Sequence, residues 1–259
     1  MNSLIEAEPF NSLQVPENES PLKDLLFFFK VNRPGDITWA HRVNQTQRLK
    51  EFWQTAMMIE GDVWLRNGVP VMVHDQGEES DLSFKVWIKT IVNSGKGAKL
   101  DFKNPLAVTP CLKQLQDIDP KSPIILNADI LQGPGGNVSE FEPDKFINLC
   151  RGLYPKGVLS LGWITELLQD GEYTADMVAE MLAIAERIGN IPVTFCVRAC
   201  YLESSYSELL PLTEKPNHMI TIWNNEPVPD DLKEWMNDNL NPDKTFYDLM
   251  DTNGDPLRL

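Results

Sequence analysis

Several features are scarce or missing in this sequence of 259 residues. No apolar run approaches the roughly 20 residues of a membrane span. The first residues, MNSLIEAEPF, have neither the basic region nor the apolar region of a secretory signal. The four cysteines are widely scattered, which predicts neither a disulfide framework nor a zinc site. We therefore expect a cytoplasmic protein with reduced thiols and no transmembrane segment.

Basic residues are also few. The chain has 23 Lys and Arg against 38 Asp and Glu, a net charge of −15. Non-specific nucleic-acid binding depends on basic surface, so no extended nucleic-acid surface is predicted. A small anionic ligand remains compatible with this charge, because a bound metal ion inverts the local field.

Short β-type runs recur along the chain, and most of them precede a helix-like segment. Apolar strands that alternate with helices are typical of a parallel sheet covered by helices. Eight runs predict a single α/β domain over residues 21–259, an irregular (β/α)8 TIM-type barrel, with residues 1–20 as a flexible tail. The runs are 36–41, 57–65, 69–74, 97–103, 123–129, 157–163, 192–198 and 218–223, and the helical segments include 45–55, 82–93, 143–153 and 174–188.

Polar residues stand at or near the carboxyl ends of these runs, where barrel enzymes build their sites. Glu60 and Asp62 are two residues apart in an apolar stretch, so they share one face of a strand. Two buried like charges are costly unless a cation lies between them, or unless Arg or Lys pairs with them across the barrel. The other polar or aromatic residues at these ends are His41, His74, Asp101, Lys103, Asn127, Asp129, Trp163, Arg198 and Trp223.

Several blocks resemble known families. AHRVN (40–44), IEGDVWLRNGVPVMVHD (59–75) and KLDFK (99–103) are similar to the signatures of glycerophosphodiester phosphodiesterases and their phospholipase C-like relatives. A closer resemblance is to the menorin family, the proteins called family with sequence similarity 151, and it extends over roughly residues 36–225. The added blocks are LNADILQGPGG (126–136), LSLGWIT (159–165), PVTFCVRA (192–199) and TIW (221–223).

This resemblance implies a metal-dependent phosphodiesterase that cleaves a small or terminal phosphodiester. His41 and His74 match the paired acid–base histidines. The metal ligands are matched by Glu60, Asp62 and Asp101. Their oxygens suit Mg²⁺ or Ca²⁺, and Mn²⁺ is a further option.

The resemblance also implies that Arg42 and Lys103 hold phosphate. The remaining candidate substrate-binding residues are Asn127, Asp129, Trp163, Arg198 and Trp223. Two positions depart from the phosphodiesterase pattern. Val43 stands where the pattern has Gly, and Asp101 is one methylene shorter than the usual Glu.

Structural roles remain open for several of these residues. Asp101 and Lys103 are compatible with a plain ion pair, Asn127 and Asp129 with loop capping, and Trp163 with packing at the barrel mouth. At the level of the whole protein, the alternative is a non-catalytic adaptor with a vestigial site and a protein partner, since menorin-type relatives are linked to neuronal adhesion complexes. Thermal stabilisation by a divalent metal distinguishes the two functions.

Overall fold

Eight parallel strands form a nearly closed barrel in the computed structural model of this chain, which describes residues 21–52, 54–257 and 259. The barrel order is β1-β2-β4-β5-β6-β7-β8-β9, and β3 pairs antiparallel with β2 outside it. The predicted TIM-type barrel is thus confirmed, whereas the predicted tail at residues 1–20 lies outside the described residues. The strands are β1 Trp39–Ala40, β2 Met58–Arg66, β3 Val69–Met72, β4 Gly97–Phe102, β5 Ile124–Gln132, β6 Val158–Ile164, β7 Val193–Arg198, β8 His218–Trp223 and β9 Thr245–Asp248.

One of the eight predicted runs is not a barrel strand. The run at 69–74 forms β3, the second arm of a hairpin. Asn67 and Gly68 in its turn both have positive φ, 49° and 78°, as a two-residue hairpin turn of this kind requires. The true last strand is the four-residue β9, which follows the last predicted run. Beside it, Trp39 of β1 packs edge-on against Phe246 of β9 with ring centroids 5.7 Å apart, so side chains join the first and last strands.

Helices follow most of the barrel strands. The best-predicted helix, α6, begins where the Thr174 side chain accepts a hydrogen bond from the Met177 amide, and it ends at Gly189 with φ 77°. Two helices were not predicted from the sequence: α4, which contains Pro110, and α8, which is strongly polar. The helices are α1 Pro21–Phe29, α2 Thr46–Glu51, α3 Phe84–Asn93, α4 Pro105–Ile118, α5 Pro143–Leu153, α6 Ala175–Ile188, α7 Tyr206–Leu209 and α8 Asp230–Asn239.

The four cysteines are all unpaired, as predicted. Three of them are buried, but Cys200 is exposed just beyond β7 and is therefore not a core thiol.

The amino end of the barrel interior is apolar, and we call it the floor. Leu25 of α1 packs against it from below, and Gly97 leaves room for the Met58 side chain, because a Cβ at residue 97 would collide with the Met58 sulfur. The floor residues are Trp39, Met58, Ile125, Val158, Met219 and Phe246. This layer supplies the hydrophobic stabilisation of the barrel's closed end.

Above the floor the same strands turn polar. Alternate residues of a strand point the same way, so the residues two positions after each floor residue also face inward. They are Glu60, Asn127, Ser160, Thr221 and Asp248, which are fully or almost fully buried, and His41, whose side chain is 9% exposed. The interior thus changes from apolar to polar along these strands, and its polar end is the carboxyl end.

Candidate metal and phosphate site

A narrow cleft opens at the carboxyl end of the barrel. Eight of the predicted site residues line it, together with Lys99, Cys196 and Asn225, which the sequence analysis did not select. The eight are His41, Asp62, His74, Asp101, Lys103, Asn127, Asp129 and Trp223. Glu60, Arg42, Trp163 and Arg198 lie outside this lining.

Three carboxylates converge beside the cleft. Glu60 and Asp62 extend from β2, Asp101 extends from the neighbouring β4, and the register pairs Asp62 with Asp101. One oxygen of each carboxylate lies within 4.8 Å of the others, and all three residues are buried. A cluster of buried carboxylate oxygens is the donor set that hard divalent cations prefer.

Glu60 is the least satisfied of the three carboxylates. Its Oε2 accepts a hydrogen bond of 2.6 Å from the Arg42 backbone N–H, which is aimed inward by a left-handed turn at φ 54°. Its Oε1 is buried and has no hydrogen-bond partner. Burial, and then the neighbouring Asp62 charge, raise the pKa of Glu60 to about 8. A buried carboxylate oxygen without a hydrogen-bond partner is unfavourable, and a bound cation would supply the missing interaction. The residues present therefore fit a divalent metal ion.

Asp62 and Asp101 already have polar partners. Asn44 donates a 2.6 Å hydrogen bond to Asp62 Oδ2. Lys103 Nζ lies 3.4 Å from Asp62 Oδ1 and donates to Asp101 Oδ2 at 2.8 Å. Burial raises the pKa of Asp101, but the Lys103 and Lys99 charges outweigh it, so the net shift is downward. The ion pair between Asp101 and Lys103 is therefore present, and it lies at the edge of the carboxylate cluster.

His41 lies beside Glu60, and its ring has three close neighbours. Its Nδ1 lies 3.1 Å from Asp248 Oδ1 and 3.4 Å from Glu60 Oε2, and its ring stacks on Trp223 at 6.4 Å between centroids. Burial lowers the pKa of His41, but the charges of Asp248 and Glu60 outweigh burial and raise it to about 9. Because Nδ1 faces the carboxylates, Nε2 is the nitrogen left for a ligand in the cleft.

Asp248 and Lys99 belong to the candidate site but were not predicted from the sequence. Lys99 Nζ donates a 2.8 Å hydrogen bond to Asp248 Oδ2, and both residues are buried. Burial raises the pKa of Asp248, but Lys99 and His41 outweigh it and lower it to about 2. Asp248 lies beyond residue 225, where the recognised blocks end. Lys99 was detectable, because it precedes Asp101 by two residues and so shares its inward face.

His74 reaches the cleft from the segment that follows β3. The Trp64 indole donates a 2.6 Å hydrogen bond to the His74 carbonyl oxygen, and the His74 N–H donates to Glu78 Oε2 at 3.1 Å. The ring is less confined than the His41 ring, since its side chain is 30% exposed, and Nδ1 lies 3.1 Å from Asp75 Oδ1. The two predicted histidines therefore line one cleft from the segments that follow β1 and β3.

Asn127 and Asp129 of β5 extend the polar lining. Asn127 donates to Asp101 Oδ1 at 2.7 Å and accepts hydrogen bonds from Ser160 and Cys196. The Asp129 carboxylate occupies the space that a Cβ would fill at Gly162. Burial and then the Asp101 charge raise the pKa of Asp129 to about 7, against the opposing effect of Lys103. Asn127 is thus hydrogen-bonded to the carboxylate cluster. Asp129 is a further acid in the cleft lining.

Three predicted substrate-binding residues are not among those that line the cleft. Trp163 is buried in the core, with its ring 5.1 Å from Tyr173. The Arg42 guanidinium is 40% exposed and lies 3.6 Å from Glu78 Oε1. Arg198 packs over the Trp223 ring, at 5.4 Å from its centroid.

The fold and the site together define a parallel (β/α)8-barrel protein with a cluster of acids and two histidines at its carboxyl mouth. Residues 35–253 match the model of the menorin N-terminal domain. Human Protein FAM151B is 35% identical over 234 residues, which are 84% of this chain and 83% of that protein. The chain belongs to the menorin family.

Among solved structures, the chain is similar to a protein described as a candidate glycerophosphodiester phosphodiesterase from Galdieria sulphuraria. The TM-score is 0.54 at 12% identity, with 81% of this chain and 92% of that chain covered. At this identity the likeness establishes a shared fold. No helix in the described part of the chain is both long enough and apolar enough to cross a membrane.

Proposed function

We propose that this protein is a metal-dependent phosphodiesterase that cleaves a small or terminal phosphodiester by acid–base catalysis. The observation that supports this most strongly is the convergence of three buried carboxylate oxygens within 4.8 Å, beside a cleft that His41 and His74 both line. The barrel shared with a candidate glycerophosphodiester phosphodiesterase adds support at the level of the fold.

Glu60, Asp62 and Asp101 would hold the metal ion, which we propose to be Mg²⁺ or Ca²⁺, with Mn²⁺ as a substitute. The bound ion would neutralise phosphate oxygens and stabilise the charge that develops in the transition state. Oxygen donors from two adjacent strands suit such ions, and the unpartnered Oε1 of Glu60 supplies a free lone pair.

The basic and polar residues of the cleft would bind and orient the substrate. Lys103, whose side chain is one-fifth exposed at the edge of the carboxylates, donates from Nζ to a phosphate oxygen. Arg42 adds positive charge from outside the cleft. Asn127 and Asp129 face a polar ester arm, and Trp223 offers an aromatic surface to it.

The two histidines would move the protons. Because Asp248 and Glu60 hold His41 through Nδ1, its Nε2 can give a proton to the leaving oxygen as the P–O bond breaks. His74, on the other side of the cleft, takes the proton of the attacking hydroxyl or water. Asp248 fixes the His41 ring through Nδ1, so it is a positioning residue.

A panel of phosphodiesters tests this function directly. It should include glycerophosphodiesters, nucleotide diesters and phospholipid head-group diesters, each assayed with Mg²⁺, Ca²⁺, Mn²⁺ or a chelator. We expect turnover of at least one small diester with metal, loss of turnover with chelator, and loss in Asp62→Asn. If the folded protein turns over no diester with any of the three metals, the enzyme proposal fails and the adaptor function takes its place.

A further inference from the structure

Arg198 is a buried arginine without an acidic partner. Only 7% of the residue is exposed, and within the described residues no carboxylate oxygen lies within 4.0 Å of its guanidinium. Its Nε has no hydrogen-bond partner, and its Nη1 reaches the Thr165 carbonyl oxygen and hydroxyl only at 3.4 and 3.5 Å. Buried charges are normally paired, because an unpaired one loses its hydration without compensation. This guanidinium therefore lacks an anion.

The strand order places Arg198 across the barrel from the carboxylate cluster. Arg198 is the last residue of β7 and follows Cys196, which lines the cleft, by two residues. Arg198 therefore faces inward like Cys196 and lies nearer the mouth of the barrel. In the order of eight strands β2 is second and β7 is sixth, which puts them on opposite sides of the barrel. An anion at Arg198 would thus be distinct from a phosphate held beside Glu60 and Asp62.

The surroundings of Arg198 fix its orientation. The guanidinium lies over the Trp223 ring, whose other neighbour is His41, and Trp223 itself lines the cleft. The Arg198 backbone N–H donates a 3.0 Å hydrogen bond to the Tyr173 hydroxyl, which is buried. A planar guanidinium held against an aromatic face is already oriented to offer two parallel N–H groups, so little entropy is lost when an anion binds.

We infer that Arg198 is a second anion-binding position, and that the substrate is a phosphodiester whose ester arm bears an additional carboxylate or phosphate. This inference rests on the proposed function for the first phosphate, which the carboxylate side holds. The second anionic group lies on the Trp223 side. The Arg198 guanidinium binds it through two parallel N–H groups, a geometry that suits both carboxylate and phosphate. Diesters with an uncharged or cationic arm leave the guanidinium unpaired and are poorer substrates.

A matched substrate set tests the inference by kinetics. Glycerophosphoglycerate and glycerophosphoglycerol differ only in one carboxylate, and glycerophosphoglycerol phosphate supplies a phosphate arm. Because a hydrogen bond to a charged group contributes about 1.5–3 kcal/mol, wild-type kcat/KM should favour at least one charged arm by roughly 10- to 150-fold. The charged arm that gives the higher kcat/KM, carboxylate or phosphate, then identifies the anionic group that Arg198 binds in the natural substrate. Arg198→Met should bring the ratio of charged to uncharged substrate close to one, and Arg198→Lys should keep part of it.

The matched control is Arg187→Met, which removes an exposed arginine of α6 that pairs with Asp144. It should keep the wild-type ratio. A wild-type ratio near one, or a full ratio in Arg198→Met, would overturn the inference.

A binding experiment separates this inference from the proposed function. Inorganic phosphate is titrated into the protein by calorimetry in the presence of chelator, so that no metal contributes. Wild type and Arg187→Met should bind phosphate, and Arg198→Met should bind at least about tenfold more weakly. If phosphate binds through Arg198 but no diester is cleaved, the enzyme proposal fails and the anion site stands. If diesters are cleaved but phosphate binding ignores Arg198, the anion site is refuted and the enzyme proposal stands.

Discussion

The floor and the mouth of the barrel interior are built by the same strands with opposite chemistry. Met58 of β2 lies in the apolar floor, and Glu60 and Asp62 lie above it on the same face. Burying an apolar side chain such as methionine stabilises a fold by about 1.5–3 kcal/mol, whereas each buried ion costs several kcal/mol in desolvation. A chain under selection for stability alone would continue the apolar stripe to the mouth. The departure from apolar packing therefore marks the mouth as the functional end.

The largest effect should follow from removing an acid–base group at the mouth. His41→Asn keeps a donor near Nδ1 for Asp248, and His74→Asn leaves the hairpin backbone unchanged. Each should lower turnover by about 10²–10⁴-fold, while circular dichroism shows an intact fold. Full activity in either variant would move proton transfer to another residue and remove the functional contrast between mouth and floor.

The next effect concerns the buried pair beneath the cleft. Lys99→Met leaves the Asp248 charge with only His41 as its partner, so the free energy of unfolding should fall by about 3–5 kcal/mol. The double variant Lys99→Met/Asp248→Asn removes both charges and should recover a substantial part of that loss. Chemical denaturation of wild type, the single variant and the double variant measures these changes in the free energy of unfolding. Equal stability of single and double variants would show that the pair is not coupled.

A floor substitution should change stability without changing the site. Met58→Ala opens a cavity among apolar side chains and should lower the free energy of unfolding by about 2–5 kcal/mol. Turnover per folded molecule should stay at the wild-type level, because no floor residue is among the residues that line the cleft. An activity loss that exceeds the loss of folded protein would contradict the division between the two ends.

The smallest effect is a loss of folding stability at acidic pH. The pKa of Asp248 is about 2 in the folded protein, below its ordinary value of 3.8, so its ionised form stabilises the fold. This contribution is complete above the ordinary pKa and is lost as the pH falls toward 2. The stability difference between wild type and Asp248→Asn should therefore shrink between pH 4 and pH 2 in urea unfolding. A constant difference across that range would exclude Asp248 from the acid response.

The sequence predicts the barrel well because its strands alternate with helices and have strong apolar character. It also predicts the carboxylate cluster, since the spacing of Glu60 and Asp62 fixes a shared face. It assigned the hairpin strand β3 to the barrel because a run of apolar residues does not show which strand it will pair with. It missed β9 because four residues produce too weak a pattern, and with β9 it missed Asp248.

Long-range pairing explains the remaining differences at the site. The contact between Asp248 and Lys99 joins residues 149 positions apart, and no local spacing predicts it. Trp163 follows the strand-end pattern, yet its side chain packs into the core against Tyr173. Arg198 was predicted as a substrate-binding residue, but only the strand order reveals that it lies across the barrel from the acids.

The most direct test of the account is a calorimetric and thermal titration of the metal-free protein with Mg²⁺, Ca²⁺ and Mn²⁺. Wild type should bind one ion and gain about 2.7 kcal/mol of stability at a hundredfold excess over Kd. The exposed-site control Asp75→Asn should behave in the same way. Asp62→Asn should not bind, and in chelator it should melt no lower than wild type because a charge that repels Glu60 has gone. A wild type that ignores all three metals, with Asp62→Asn melting lower in chelator, would show that these acids serve structural ion pairs with Lys103.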